Sequence, residues 1–152
     1  MTAINHAITG SIIGFVVINP FFAIPLALVS HFVLDTLPHF GNKKNPNWIK
    51  SKWFKRVLAI DITLTTIYGL SILLLHPSNY LIAFICAVVA TLPDLIYLRN
   101  FIRANRNKHI KMNDFIKYST LIQWSEKPIG IVVEIIYFVF SLLVATIFLH
   151  LV

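Results

Sequence analysis

The densest run of side chains able to do chemistry is His31-Phe-Val-Leu-Asp35-Thr-Leu-Pro-His39. On a helix, residues four apart share a face, so His31 and Asp35 can hold one ion between an imidazole nitrogen and a carboxylate oxygen. Pro38 is expected to end that helix and let His39 turn back toward the same place. Other ionisable groups inside apolar stretches are few: His6, Asp61, Asp94 and Glu134. Neutral imidazole and carboxylate together suit a divalent cation, zinc first and manganese as the alternative. A cation would also offset the desolvation and mutual repulsion of Asp61, Asp94 and Glu134 buried together.

The candidate metal ligands are therefore His6, His31, Asp35, His39, Asp61 and Asp94, enough for one or two ions. Glu134 and Asp94 are the candidate catalytic carboxylates, with Glu134 as the general base. Each residue also has a plainer reading. His31 and Asp35 could be a structural hydrogen-bonded pair, His6 a helix cap, His39 an interfacial histidine, and Glu134 a structural group. Asp61 and Asp94 could pair with Lys or Arg, and Glu126, beside Lys127, reads as a solvated charge. His76, His109 and His150 read as loop or interface residues.

Five apolar stretches carry these groups, from about Ala7 to Ile18, Phe21 to Leu37, Val57 to Leu75, Tyr80 to Leu98, and Ile129 to Val152. The last three can span a bilayer, since ~20 residues at ~1.5 Å each cover a core of ~30 Å. The first two are shorter and are separated by Asn19-Pro20, which predicts a short helical hairpin. Gly10 and Gly14, four apart, fit tight packing within that hairpin, and Pro25 is placed to kink its second helix.

The composition agrees with a membrane protein. Of 152 residues, 57% are hydrophobic and 12% charged, and mean hydropathy is +0.77. A soluble domain has roughly a quarter of its residues charged, so the deficit excludes an exterior facing only water. The length argues for a single domain, residues 1–152. The opening MTAINHAITG lacks a basic n-region and a cleavage site, so the segment is expected to be retained. Cys86 is the only cysteine, which rules out an intrachain disulfide.

The net charge of +7 is concentrated in residues 41–56 and 99–117, with six Lys or Arg in each. The turns at Asn19-Pro20 and at His76-Pro77-Ser78-Asn79 have none. Positive charge stays on the cytoplasmic side, which predicts a five-helix all-α integral membrane bundle with its N-terminus inside and C-terminus outside. His6, His31, Asp35, His39, Asp61, Asp94 and Glu134 then share the cytoplasmic face. Trp48, Trp53 and Trp124 flank the basic segments as interfacial residues do. The basic segments read as contacts to anionic lipid headgroups rather than to nucleic acid.

Asn5-His6-Ala-Ile-Thr-Gly10 followed by Ser30-His31-Phe-Val-Leu-Asp35 resembles the YdjM-like membrane-bound metal-dependent hydrolases of bacterial inner membranes. Leu92-Pro93-Asp94 resembles that family's Leu-Pro-Asp segment. There the tripeptide precedes the His-x-x-x-Asp helix and has a second Asp two residues on; here it follows, and that position is Ile96. The resemblance implies a small multi-helix membrane protein with a metal-dependent hydrolytic site. The leading functional expectation is a zinc-type hydrolase at the cytoplasmic leaflet, acting on a phospholipid or other lipid-linked phosphoester. Its metal would acidify a water to a pKa near ~7 and polarise the ester. The alternatives are a metal or proton carrier and a non-enzymatic scaffold.

Overall fold

The computed structural model describes residues 1–42, 48–105, 121 and 124–150. His109, Asp114 and the rest of the second basic segment beyond residue 105, with its expected role as an amphipathic helix or lid, lie outside the described residues.

The chain is all-helical in class. Its elements are α1 (Ala3–Val16), α2 (Pro20–Asp35), β1 (His39–Phe40), a 3-10 turn (Trp48–Lys50), α3 (Lys52–Leu75), α4 (Tyr80–Asn105), β2 (Glu126–Lys127) and α5 (Gly130–His150). The α1–α2 turn is local chemistry: Asn19 Oδ1 accepts the Phe21 N–H at 3.0 Å, and Pro20 occupies the first helical position, where a missing N–H costs nothing. Pro25 and Pro93 lie within α2 and α4, which continue through them.

Two helices begin or end beyond their apolar stretch. α3 starts at Lys52 rather than near Val57 because Ser51 caps it, its Oγ accepting the Phe54 N–H at 3.1 Å. α4 runs on through Arg99 and Arg103 to Asn105, since straight-chain basic residues are good helix formers. The short β1–β2 ladder is a feature that the apolar pattern does not predict. It is parallel and sets His39 opposite Glu126 and Phe40 opposite Lys127.

Among the described residues α1 packs against α2, α3, α4 and α5. These neighbours bury Asn5, His6 and Ser11 along with Ile4, Ala7 and Ile8. The closest seam is between α1 and α4. A Cβ on Gly10 would stand 2.4 Å from the Cys86 carbonyl oxygen, and one on Gly14 would stand 2.5 Å from Ala83 Cα. The two glycines thus face α4 rather than α2, so the expectation of hairpin packing is corrected to a different helix pair. The seam continues into α2 through Ala23 and Ala27, which cluster with Cys86 and Ala90.

Polarity is distributed from the inside outward. Asn5, His6, Ser11, His31, Asp35, His39, Asp61 and Glu134 are buried, whereas Phe21 and Leu74 are 86% and 77% exposed. α3 and residues Gly130–Leu149 of α5 are long and apolar enough to cross a membrane, and only 17% of each apolar window is buried. Neither helix is thus the enclosed core of this fold. α1, α2 and the Tyr80–Ile96 part of α4 are shorter apolar helices.

Candidate metal centre

His6 sits in the first turns of α1, and His31 and Asp35 in the last turn of α2. The hairpin brings the two imidazoles into a stack, centroids 4.0 Å apart and 28° between planes. His31 Nδ1 lies 2.8 Å from the Ala90 carbonyl oxygen. A carbonyl only accepts, so Nδ1 carries the proton and Nε2 presents a lone pair. Metal-ligating histidines are characteristically oriented in this way. The i, i+4 expectation holds: His31 Nε2 and Asp35 Oδ2 are 3.4 Å apart. Asp35 Oδ1 is 3.2 Å from His6 Nε2 and also pairs with the Met1 amine.

α4 supplies the fourth group. Asp94 Oδ2 lies 3.9 Å from His6 Nε2. His6, His31 and Asp94 each offer a donor atom within 4.8 Å of the other two. Ligands at ~2.0–2.2 Å from a tetrahedral ion are roughly 3.3–3.6 Å from one another, which the 3.9 Å His6–Asp94 contact approaches; the 3.2 and 3.4 Å contacts run to the two separate oxygens of Asp35.

The hydrogen-bond inventory points the same way. Both ring nitrogens of His6 and Oδ2 of Asp94 are buried without a hydrogen-bond partner among the described residues; the 3.2 Å approach of Asp35 to His6 lacks hydrogen-bond geometry. An unsatisfied buried polar group costs about 1–3 kcal/mol. One ion would satisfy His6 Nε2 and Asp94 Oδ2, which are 3.9 Å apart, though not Nδ1 on the other side of the same ring. Among the described residues Asp94 pairs with no Lys or Arg; its ion-pair contact is His6.

The remaining expected residues make contacts of their own outside this group. Asp61 turns both carboxylate oxygens to the start of α1, accepting the Ala3 N–H and the Ile4 N–H at 2.9 Å each. It caps a helix to which it does not belong, and so fixes the height of His6 two residues later. Asp61→Asn would keep one acceptor and oppose an NH2 to the other amide. The expected loss is about 2–3 kcal/mol, read from thermal unfolding in detergent, with exposed Thr63→Ala as a near-neutral control. An unchanged melt for Asp61→Asn would exclude the capping role.

Glu134 Oε1 accepts the Phe40 N–H at 3.0 Å, and its backbone carbonyl accepts from Asn5 Nδ2 at 3.2 Å. His39 lies beside Glu126, Nε2 to Oε1 3.8 Å. His76 is at the opposite end, capping α3 in the left-handed region with φ 48° and packing on Tyr80. Sequence reasoning passed over two contributors. Glu126 reads as solvated because nothing in its neighbourhood betrays the β1 pairing. Ala90 contributes only a carbonyl, which no side-chain pattern reveals. Comparison with protein-family models, with curated proteins and with solved structures finds no match to this chain.

Proposed function

We propose that this chain is a membrane-embedded, metal-dependent hydrolase acting at the cytoplasmic leaflet on a lipid-linked phosphoester. The observation that carries it is the convergence of His6, His31 and Asp94 within 4.8 Å, with His6 Nε2 and Asp94 Oδ2 buried and without a hydrogen bond among the described residues. A soluble metal-free core has no use for such an arrangement, because each group would cost stability without return.

His6, His31 and Asp35 would hold the ion from the buried side. Asp94, 24% exposed against 0–2% for the others, closes the group on its open side and is placed to take the proton from an incoming water. Bound there, a divalent ion would supply Lewis-acid polarisation of the phosphoester and a more acidic water. Zinc suits the mixed nitrogen and oxygen donors, and manganese is the second choice.

The membrane setting is supported by two membrane-length helices and by exposed Phe21, Phe22, Leu74 and Phe140 on the outer faces of three different helices. On this reading the shorter α1, α2 and α4 complete a five-pass bundle in a prokaryotic inner membrane, N-terminus inside. Lys50, Lys52, Lys55 and Arg56 then stand at the cytoplasmic interface, where basic residues attract anionic headgroups. The substrate would reach the centre from the leaflet beside it.

The test is elemental analysis of detergent-purified wild type and His31→Ala/Asp35→Ala, followed by hydrolysis assays on vesicles containing phosphatidate and phosphatidylglycerol. Stoichiometric zinc or manganese in the wild type, lost in the double variant together with phosphoester cleavage, is the expected result. Metal without cleavage of any lipid phosphoester would leave a cation-binding protein and exclude the hydrolase.

A further inference from the structure

Both ring nitrogens of His31 face an acceptor. Nδ1 lies 2.8 Å from the Ala90 carbonyl oxygen, and Nε2 lies 3.4 Å from Asp35 Oδ2. A neutral imidazole has one N–H, so the two acceptors compete for it. The outcome decides whether His31 can bind an ion. With the proton on Nδ1, Nε2 is left as a donor; with the proton on Nε2, that lone pair is lost. A carboxylate is ordinarily the stronger acceptor, since charge-assisted hydrogen bonds are about twice as strong as neutral ones. The carbonyl prevails only if it is held close and well aimed, and the shorter distance shows that it is close.

A carbonyl in mid-helix is not usually offered to a neighbouring helix. It is committed to the N–H four residues on, which for Ala90 is that of Asp94. Pro93 alters this turn. It lies inside α4, is buried, and follows Ala90 by three residues, hence on the same face. Proline has no N–H to give the Val89 carbonyl four residues back, and its ring clashes with that carbonyl, which opens the turn. In helical membrane bundles the backbone groups loosened in this way are taken up by neighbouring helices. Here His31 of α2 takes the next carbonyl in the ladder. The approach is close because Ala90 packs with Ala23 and Ala27 of α2. Asp94, the donor supplied by α4, directly follows the proline.

We propose that Pro93 is a positioning residue for His31: it keeps the 89–94 turn of α4 open, so that the Ala90 carbonyl holds the His31 proton on Nδ1 and leaves Nε2 for the ion. The consequence for metal rests on the reading of the chain as a metal-dependent protein. The position of the proton does not, and is read without metal, so the two can fail separately.

The experiment reads the tautomer of His31 by NMR of isotope-labelled histidine side chains. Detergent-purified protein is held in EDTA at a pH where free imidazole is neutral, and His31→Gln identifies the signals. Zinc affinity is then measured by calorimetric titration. Wild type is expected to show Nδ1–H. Pro93→Ala restores the ladder N–H and is expected to move the proton to Nε2. Its zinc affinity should fall about 10–100-fold, the range for groups that orient a ligand. Its melting temperature should stay at or above wild type, because alanine is the better helix former. A merely structural proline would not lose affinity and move a proton while the fold holds. Pro25→Ala, at the exposed proline inside α2, should change neither tautomer nor affinity. Nε2–H in the wild type, Nδ1–H kept in Pro93→Ala, or unchanged zinc affinity despite a moved proton overturns the role of Pro93. Zinc bound by no form, with the proton moving as stated, overturns the metal-dependent reading and leaves the hold of Pro93 on His31 standing. Pro93→Ser restores the same N–H and replaces the alanine variant if that one fails to fold.

Discussion

Replacing His6 by leucine is expected to abolish metal-dependent stabilisation while leaving the metal-free protein at least as stable as the wild type. The two effects have opposite signs for one reason. Both His6 nitrogens are buried without a hydrogen bond among the described residues, so in the absence of an ion they weaken the fold. An apolar side chain of similar reach removes that cost, and gains of about 0.5–2 kcal/mol are common for such changes. With an ion present the balance inverts. At a free concentration of ~1,000 Kd a ligand adds about 4 kcal/mol, equivalent to a rise in Tm of about 10 °C for a chain of this size. Thermal unfolding in detergent, with EDTA and then with excess zinc, reads both. Wild type should shift by about that amount and His6→Leu by less than ~1–2 °C, from an EDTA baseline equal to or above wild type. An equal zinc shift in both proteins would remove His6 from the centre. A large fall of the variant's EDTA baseline would mean that the ring is structural.

Much of this centre is legible in the chain because its parts are local. The pairing of His31 with Asp35 follows from helix periodicity alone, and their 3.4 Å separation is what i, i+4 spacing allows. The hairpin follows from Asn19-Pro20, whose cap and N1 roles need no tertiary information. What could not be read is tertiary. Asp61 looks like one more ligand in an apolar run, but both of its oxygens serve the first amides of another helix. Gly10 and Gly14 announce a close approach without naming the partner, which is α4 and not the neighbouring α2. Glu126 beside Lys127 looks like surface charge until a two-residue parallel ladder sets it against His39. The helix ends moved because the apolar pattern marks what is greasy, whereas a helix ends where its caps are: Ser51 extends α3 back to Lys52.

The α1–α4 seam is where fold and centre meet, and Gly10→Leu is the change expected to damage both most. Ala90 explains why. A Cβ on Gly10 would lie 2.7 Å from Ala90 Cβ. The Ala90 carbonyl orients His31 at 2.8 Å, and Asp94 follows one turn later on the same face of α4. His6 is one turn before Gly10 on α1. A side chain at position 10 therefore pushes apart the two helices at the point from which all three donors are set. Overpacking of this kind costs about 1–3 kcal/mol. Here the obstacle includes the Cys86 carbonyl at 2.4 Å, backbone that has no rotamer to escape into, so the upper end applies. Metal affinity should fall by roughly 10–100-fold, the range seen when groups that orient ligands are disturbed. Gly69→Ala is the control. A Cβ there meets only Phe84 Cε2 at 3.5 Å, an ordinary contact, and alanine in place of a mid-helix glycine is favourable by up to about 1 kcal/mol. Gly69→Ala should thus melt at or above wild type with unchanged metal affinity, and Gly10→Leu should lose both. If Gly10→Leu keeps wild-type affinity despite a lower Tm, the donors are positioned by the α1–α2 hairpin alone, and Asp94 is not needed to hold the ion.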